Sequence, residues 1–137
     1  MAENQTRKQG QEIRRRLMGG DLVDEMAATT YDDPMMQEFA DYASEAVFGL
    51  LWTRPGLDIK TRALVCVVSD TAMGRWPELA LHLRVARRAG WTETELAEAL
   101  LHMAGYVGLP LVREATLTAK EAFREMREKE SSGAESD

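Results

Sequence analysis

Seven side chains in this sequence have the types and spacing that chemistry needs: His82, Glu78, His102, Tyr106, Arg54, Trp52 and Asp70. His82 shares a contiguous helical face with Leu79, Leu83 and Ala86, and Glu78 lies one turn before it. A histidine with a carboxylate one turn away makes a general acid with its orienting partner. The competing reading is a core histidine bonded to a neighbour. His102 lies off the apolar stripe of its own helix, on a face with Glu95, Glu98, Ala99 and Tyr106. Tyr106 follows it at i+4, within reach on the same surface. The plainer alternative is an exposed histidine paired with Glu98.

Arg54 and Trp52 flank a turn. A guanidinium binds carboxylates bidentately, so Arg54 is a candidate clamp for an acidic substrate. It reads equally well as a surface arginine, and Trp52 as a core residue. Neither histidine sits in an HxH or HxxxH spacing, so no metal site is expected. No glycine-rich phosphate loop and no Gly-x-Ser-x-Gly elbow occurs.

These residues need helices to hold them. Asp33-Pro34 starts one by a capping side chain and an N1 proline. Met35, Phe39, Tyr42, Ala46 and Gly49 carry it to about Leu51 at three- and four-residue steps. Asp58 caps the next helix, which ends at Gly74. Pro77 restarts a helix that stops near Gly90. Thr92 and Glu95 have capping-box spacing and open a helix to about Val107. A last helix spans Leu111 to about Lys129. Upstream, Gln11–Met18 reads as a short amphipathic helix stopped by Gly19-Gly20, and 21–31 is ambiguous. The expectation is an all-α domain of about six helices over residues 11–129. Residues 1–10 read as a flexible start and 130–137 as a disordered tail.

Composition narrows the function. The net charge is −6, whereas a nucleic-acid binder carries a basic footprint. No apolar run reaches the length of a membrane span. The start has no apolar core of a secretory signal, which leaves a cytoplasmic expectation. Cys66 is the only cysteine, so no internal disulfide and no CxxC site can form. At helical spacing it falls on a buried face, where a lone thiol packs as a small hydrophobe.

WTRPGLD, TRAL, ELALHLRVARRAG and ELAEALLHMAGYVGLP together resemble the carboxymuconolactone decarboxylase family, and IRRRLMGGDLVD resembles its N-terminal segment. The resemblance covers about residues 11–126. It implies the all-helical fold shared with the alkylhydroperoxidase D proteins and a homo-oligomer, commonly a hexamer built as a trimer of dimers. The peroxidase branch uses CxxCxxxH; here Arg75, Glu78 and His82 stand at those positions. The histidine is kept and both cysteines are absent, which argues against disulfide-based peroxide reduction. Ala63 stands where the peroxidase branch has a glutamate.

The activity implied is loss of CO2 from 4-carboxymuconolactone to give 3-oxoadipate enol-lactone, in the protocatechuate branch of aromatic degradation. The lactone carbonyl is the electron sink, so no cofactor is expected. The substrate is a small carboxylic acid. In this scheme His82 donates the proton with Glu78 orienting it. His102 and Tyr106 contact the oxyanion, and Arg54, beside Trp52, clamps a carboxylate. The alternatives are a decarboxylase-like paralogue acting on another lactone or oxo acid, and a non-catalytic oligomeric binding protein.

The chain departs from the family at Phe48, where tryptophan is usual, and at Ser69-Asp70-Thr71, where apolar residues are expected. Asp70 shares a face with Ala63, Cys66 and Val67. It is expected either to pair with an arginine, such as Arg62 or Arg75, or to bond a polar group of the substrate. In the second case the cavity suits a substrate with a hydroxyl or fewer charges than carboxymuconolactone.

Overall fold

The computed structural model describes residues 4–133, which divide into two compact units, one up to Leu57 and one from Asp58 onward. The helices are α1 (Gln5–Met18), α2 (Gly20–Thr29), α3 (Pro34–Ala43), a π-helical segment (Ser44–Leu51), α4 (Ile59–Met73), α5 (Trp76–Arg88), α6 (Glu93–Val107) and α7 (Leu109–Ser132). No strand occurs among the described residues. The all-α expectation holds.

In the first unit the helices exceed expectation. Asn4 accepts the Arg7 backbone N–H at 2.9 Å and starts α1 at Gln5, inside the stretch read as flexible. Residues 20–29, ambiguous in sequence, are helical because Gly19, at φ 93°, breaks α1 and lets the chain restart at once. The helix expected over 34–51 changes ladder at Ser44. From there the bonds reach one residue further back, as in Trp52 N–H to Val47 O at 2.9 Å. This segment packs on α1 with backbones almost touching. A Cβ at Gly10 would lie 1.7 Å from the Ser44 oxygen, and one at Gly49 would lie 2.4 Å from the Thr6 oxygen. The apolar stripe of α3 stays uncovered in the single chain, with Met35 73%, Phe39 58% and Tyr42 71% exposed.

The second unit is built around α4 and α5. Asp58 accepts the Thr61 N–H at 2.8 Å, and Gly74 takes the left-handed conformation that ends α4. The short Gly74-Arg75 link then returns α5 against α4, with Pro77 in its first turn. Ala63 and Val67 of α4, Leu79, Leu83 and Ala86 of α5, and Leu96 and Leu100 of α6 are buried. The Trp91 indole donates to the Lys60 oxygen at 2.7 Å and ties the end of α5 to the start of α4. The Thr92–Glu95 capping box forms in both directions. Pro110 falls in the first turn of α7, where a missing N–H costs nothing, so α7 begins at Leu109 rather than after the proline. It runs to Ser132, so residues 130–132 of the expected tail are helical. Residues 134–137 of that tail, and 1–3 of the expected flexible start, lie outside the described residues.

Candidate active site

Asp70 and His82 meet where α4 and α5 pack. They are twelve residues apart in sequence, and His82 Nδ1 lies 2.5 Å from Asp70 Oδ2. The Asp70 side chain is 5% exposed and that of His82 is 23% exposed. A carboxylate offers only acceptors, so this bond needs the imidazole proton on Nδ1 when Asp70 is ionised. Leaving a buried carboxylate unpaired would cost on the order of several kcal/mol, and His82 offsets this. The Nε2 atom has no hydrogen-bond partner among the described residues.

Two expectations are corrected here. Glu78 does not orient His82: it is exposed on the solvent side of α5 and makes no ion pair among the described residues. A residue one turn back on the same helix stays on that helix's own surface. A residue from the packed neighbour faces straight into the interface. The partner the structure shows for Asp70 is the His82 imidazole, where an arginine, Arg62 or Arg75, or the substrate was expected.

His102 and Tyr106 form a second pair, with ring centroids 5.3 Å apart at a 38° tilt. Both are exposed, and His102 makes no ion pair with Glu98. They line an open groove of about 720 Å³ between α4 and α6, whose apolar walls include Leu64, Val68, Ala72 and Met103. Asp70 and His82 do not line this groove. Trp52 is buried and stacks on Phe48 at 6.3 Å, a packing role. Arg54 lies exposed in the turn after it. Both belong to the first unit. Arg84, two residues beyond His82, is buried, and the sequence reading passed over it.

Cys66 lies one turn before Asp70 on α4. Burial, and then the Asp70 charge, push its thiol up to about 11. It has no second thiol to pair with. Among the described residues no three His, Cys, Asp or Glu side chains cluster as a metal site would require. No helix among them is long and apolar enough to cross a membrane.

With a single cysteine, this all-helical chain lacks the paired thiols of the peroxidase side of the resemblance. The carboxymuconolactone decarboxylase family model matches residues 37–121. The chain belongs to this family. A 4-carboxymuconolactone decarboxylase of Acinetobacter baylyi is 36% identical over 92% of this chain and 92% of its own. The nitrosuccinic acid decarboxylase npaB of Metarhizium robertsii is 33% identical over 88% of this chain and 83% of its own. Within the carboxymuconolactone decarboxylase family match lie α4, α5 and α6 and every candidate residue from Trp52 to Tyr106.

Proposed function

We propose that this carboxy-lyase of the carboxymuconolactone decarboxylase family converts 4-carboxymuconolactone to 3-oxoadipate enol-lactone without a cofactor, in the protocatechuate branch of aromatic degradation. The observation that carries the reading is the His82 ring, held at Nδ1 by buried Asp70 with Nε2 open. The relative in Acinetobacter baylyi supports the substrate.

The chemistry needs little else. When the carboxylate leaves as CO2, its electron pair spreads through the ring double bond into the lactone carbonyl. The resulting dienolate must be stabilised at oxygen and protonated at carbon. His82 Nε2 delivers the proton. His102 and Tyr106 remain the candidates for the oxyanion, and Arg54 for a carboxylate, whereas Trp52, buried against Phe48, packs.

A second substrate is favoured by the fungal relative, which is named for nitrosuccinic acid. There the nitro group takes the electron pair in place of the lactone carbonyl, and the remaining demand is again one proton to carbon.

The working unit in this reading is a cytoplasmic homo-oligomer, a hexamer arranged as a trimer of dimers, with the site near a subunit interface. The uncovered α3 stripe supports self-association, since a large apolar patch marks a contact surface. The experiment is CO2 release by the purified protein from each acid separately. Release from 4-carboxymuconolactone supports the first substrate, and release from nitrosuccinate alone moves the assignment to the second. Binding of both without turnover would make the chain a binding protein and sink the reading.

A further inference from the structure

We infer that Asp70 is a positioning residue that fixes the proton on His82 Nδ1, so that Nε2 is the nitrogen that exchanges a proton with substrate carbon. This deepens the reading of His82 as proton donor and rests on it.

Asp70 stands in a poor place for a carboxylate. It lies in the last turn of α4, where its own carbonyl accepts the Arg75 N–H at 2.9 Å and the helix dipole is negative. It is buried beside Val67 and Thr71, in a segment otherwise suited to apolar side chains. The Thr71 hydroxyl cannot help it, because that hydroxyl donates to the Val67 oxygen at 2.9 Å. The side-chain partner that the structure shows for Asp70 is His82 Nδ1. A structural imidazole needs no such partner, since either ring nitrogen can donate and the ring can settle in either tautomer. A carboxylate removes that freedom.

The consequence for the reaction is specific. The bond from ring carbon to carboxylate breaks and CO2 departs, leaving the electron pair in the dienolate. That pair then forms a C–H bond with the Nε2 proton of the imidazolium. What remains is neutral imidazole protonated at Nδ1, the tautomer that Asp70 already holds. No ring flip is needed, and solvent restores the Nε2 proton for the next cycle. The exchange is redox-neutral. With an amide in place of the carboxylate, the NH2 group can donate to Nδ1 and move the proton to Nε2, the wrong tautomer for this cycle.

The test uses Asp70→Asn, His82→Ala and the double variant, with nitrogen-15 NMR of the imidazole rings. The His82 signals are assigned by their loss in His82→Ala. In the unmodified protein the neutral ring should show the Nδ1–H tautomer, and Asp70→Asn should populate Nε2–H. On whichever of the two acids is turned over, Asp70→Asn should lower kcat by about tenfold to a hundredfold, with KM within about threefold. In the His82→Ala background the same change should cost nothing more. An Nε2–H ring in the unmodified protein overturns the inference, and that measurement stands even if Asp70→Asn does not fold. So does unchanged kcat in Asp70→Asn, or a full additional loss in the double variant, which would mean that Asp70 acts on substrate directly. Turnover of neither acid sinks the substrate reading alone, because the ring spectra still decide whether Asp70 sets the tautomer. Near-normal turnover by His82→Ala removes the proton donor, and with it the role of Asp70.

Discussion

Cys66 lies one helical turn before Asp70 on α4, and burial together with that carboxylate holds its thiol protonated up to about pH 11. A thiol that stays protonated is a poor nucleophile and a poor redox centre. Alkylation of Cys66 in the folded protein should be slow at pH 8 and accelerate only as pH approaches 11. Fast labelling at pH 8 in the native state would contradict this.

The same shift fixes a sign for stability. The folded pKa is raised from 9.0 to about 11, so the native state holds this proton more tightly than the unfolded chain. The stabilisation is complete below pH 9 and is lost as pH rises through the folded value. Cys66→Ala should therefore lose less stability than the parent between pH 9 and 11, as read from urea midpoints across that window. It should also keep decarboxylation within a few-fold, since no step uses the thiol. Parallel midpoint curves, or an inactive folded variant, would count against the assignment.

His82→Ala should fold normally and lose turnover by roughly a hundredfold or more, the scale of acid–base assistance. Glu78→Gln should cost little, because Glu78 is exposed and does not touch the imidazole. Comparing kcat for the two variants, with circular dichroism as the folding control, separates the imidazole from the exposed carboxylate. A large loss in Glu78→Gln would restore it to the site.

Gly10→Ala should destabilise the first unit. An exposed helical glycine changed to alanine normally gains about 0.5–1 kcal/mol. Here the added Cβ would sit 1.7 Å from the Ser44 backbone oxygen, so α1 must move off the π-helical segment. Overpacking of this kind costs about 1–3 kcal/mol. Thermal melting should show a lowered midpoint, and a raised one would show that the two backbones separate easily.

Phe39→Glu places a charge in the middle of the uncovered α3 stripe. If that stripe joins subunits, the variant should shift to a smaller species in light scattering at micromolar concentration. A parent protein that is already monomeric there would defeat the proposed assembly.

Much of the framework was legible from local chemistry. The Asp58 cap, the Gly74 stop and the Thr92–Glu95 capping box depend on residues within one turn of each other, so sequence alone determined those helix ends. The all-α class followed from helical periodicity and the family from contiguous motifs. Other features depended on contacts between distant segments. The switch to a π ladder at Ser44 accompanies the close approach of α1 at Gly10, which no local pattern reports. Met35, Phe39 and Tyr42 read as an apolar helical stripe, but periodicity does not say what covers it. At the site, sequence supplied both a histidine on an apolar face and an acid where apolar residues were expected. It paired the histidine with Glu78 because local spacing shows which residues are neighbours on one helix, not which helices meet. Only the packing of α5 on α4 brought Asp70 to His82, because burial leaves a carboxylate no solvent and the imidazole is the partner within reach.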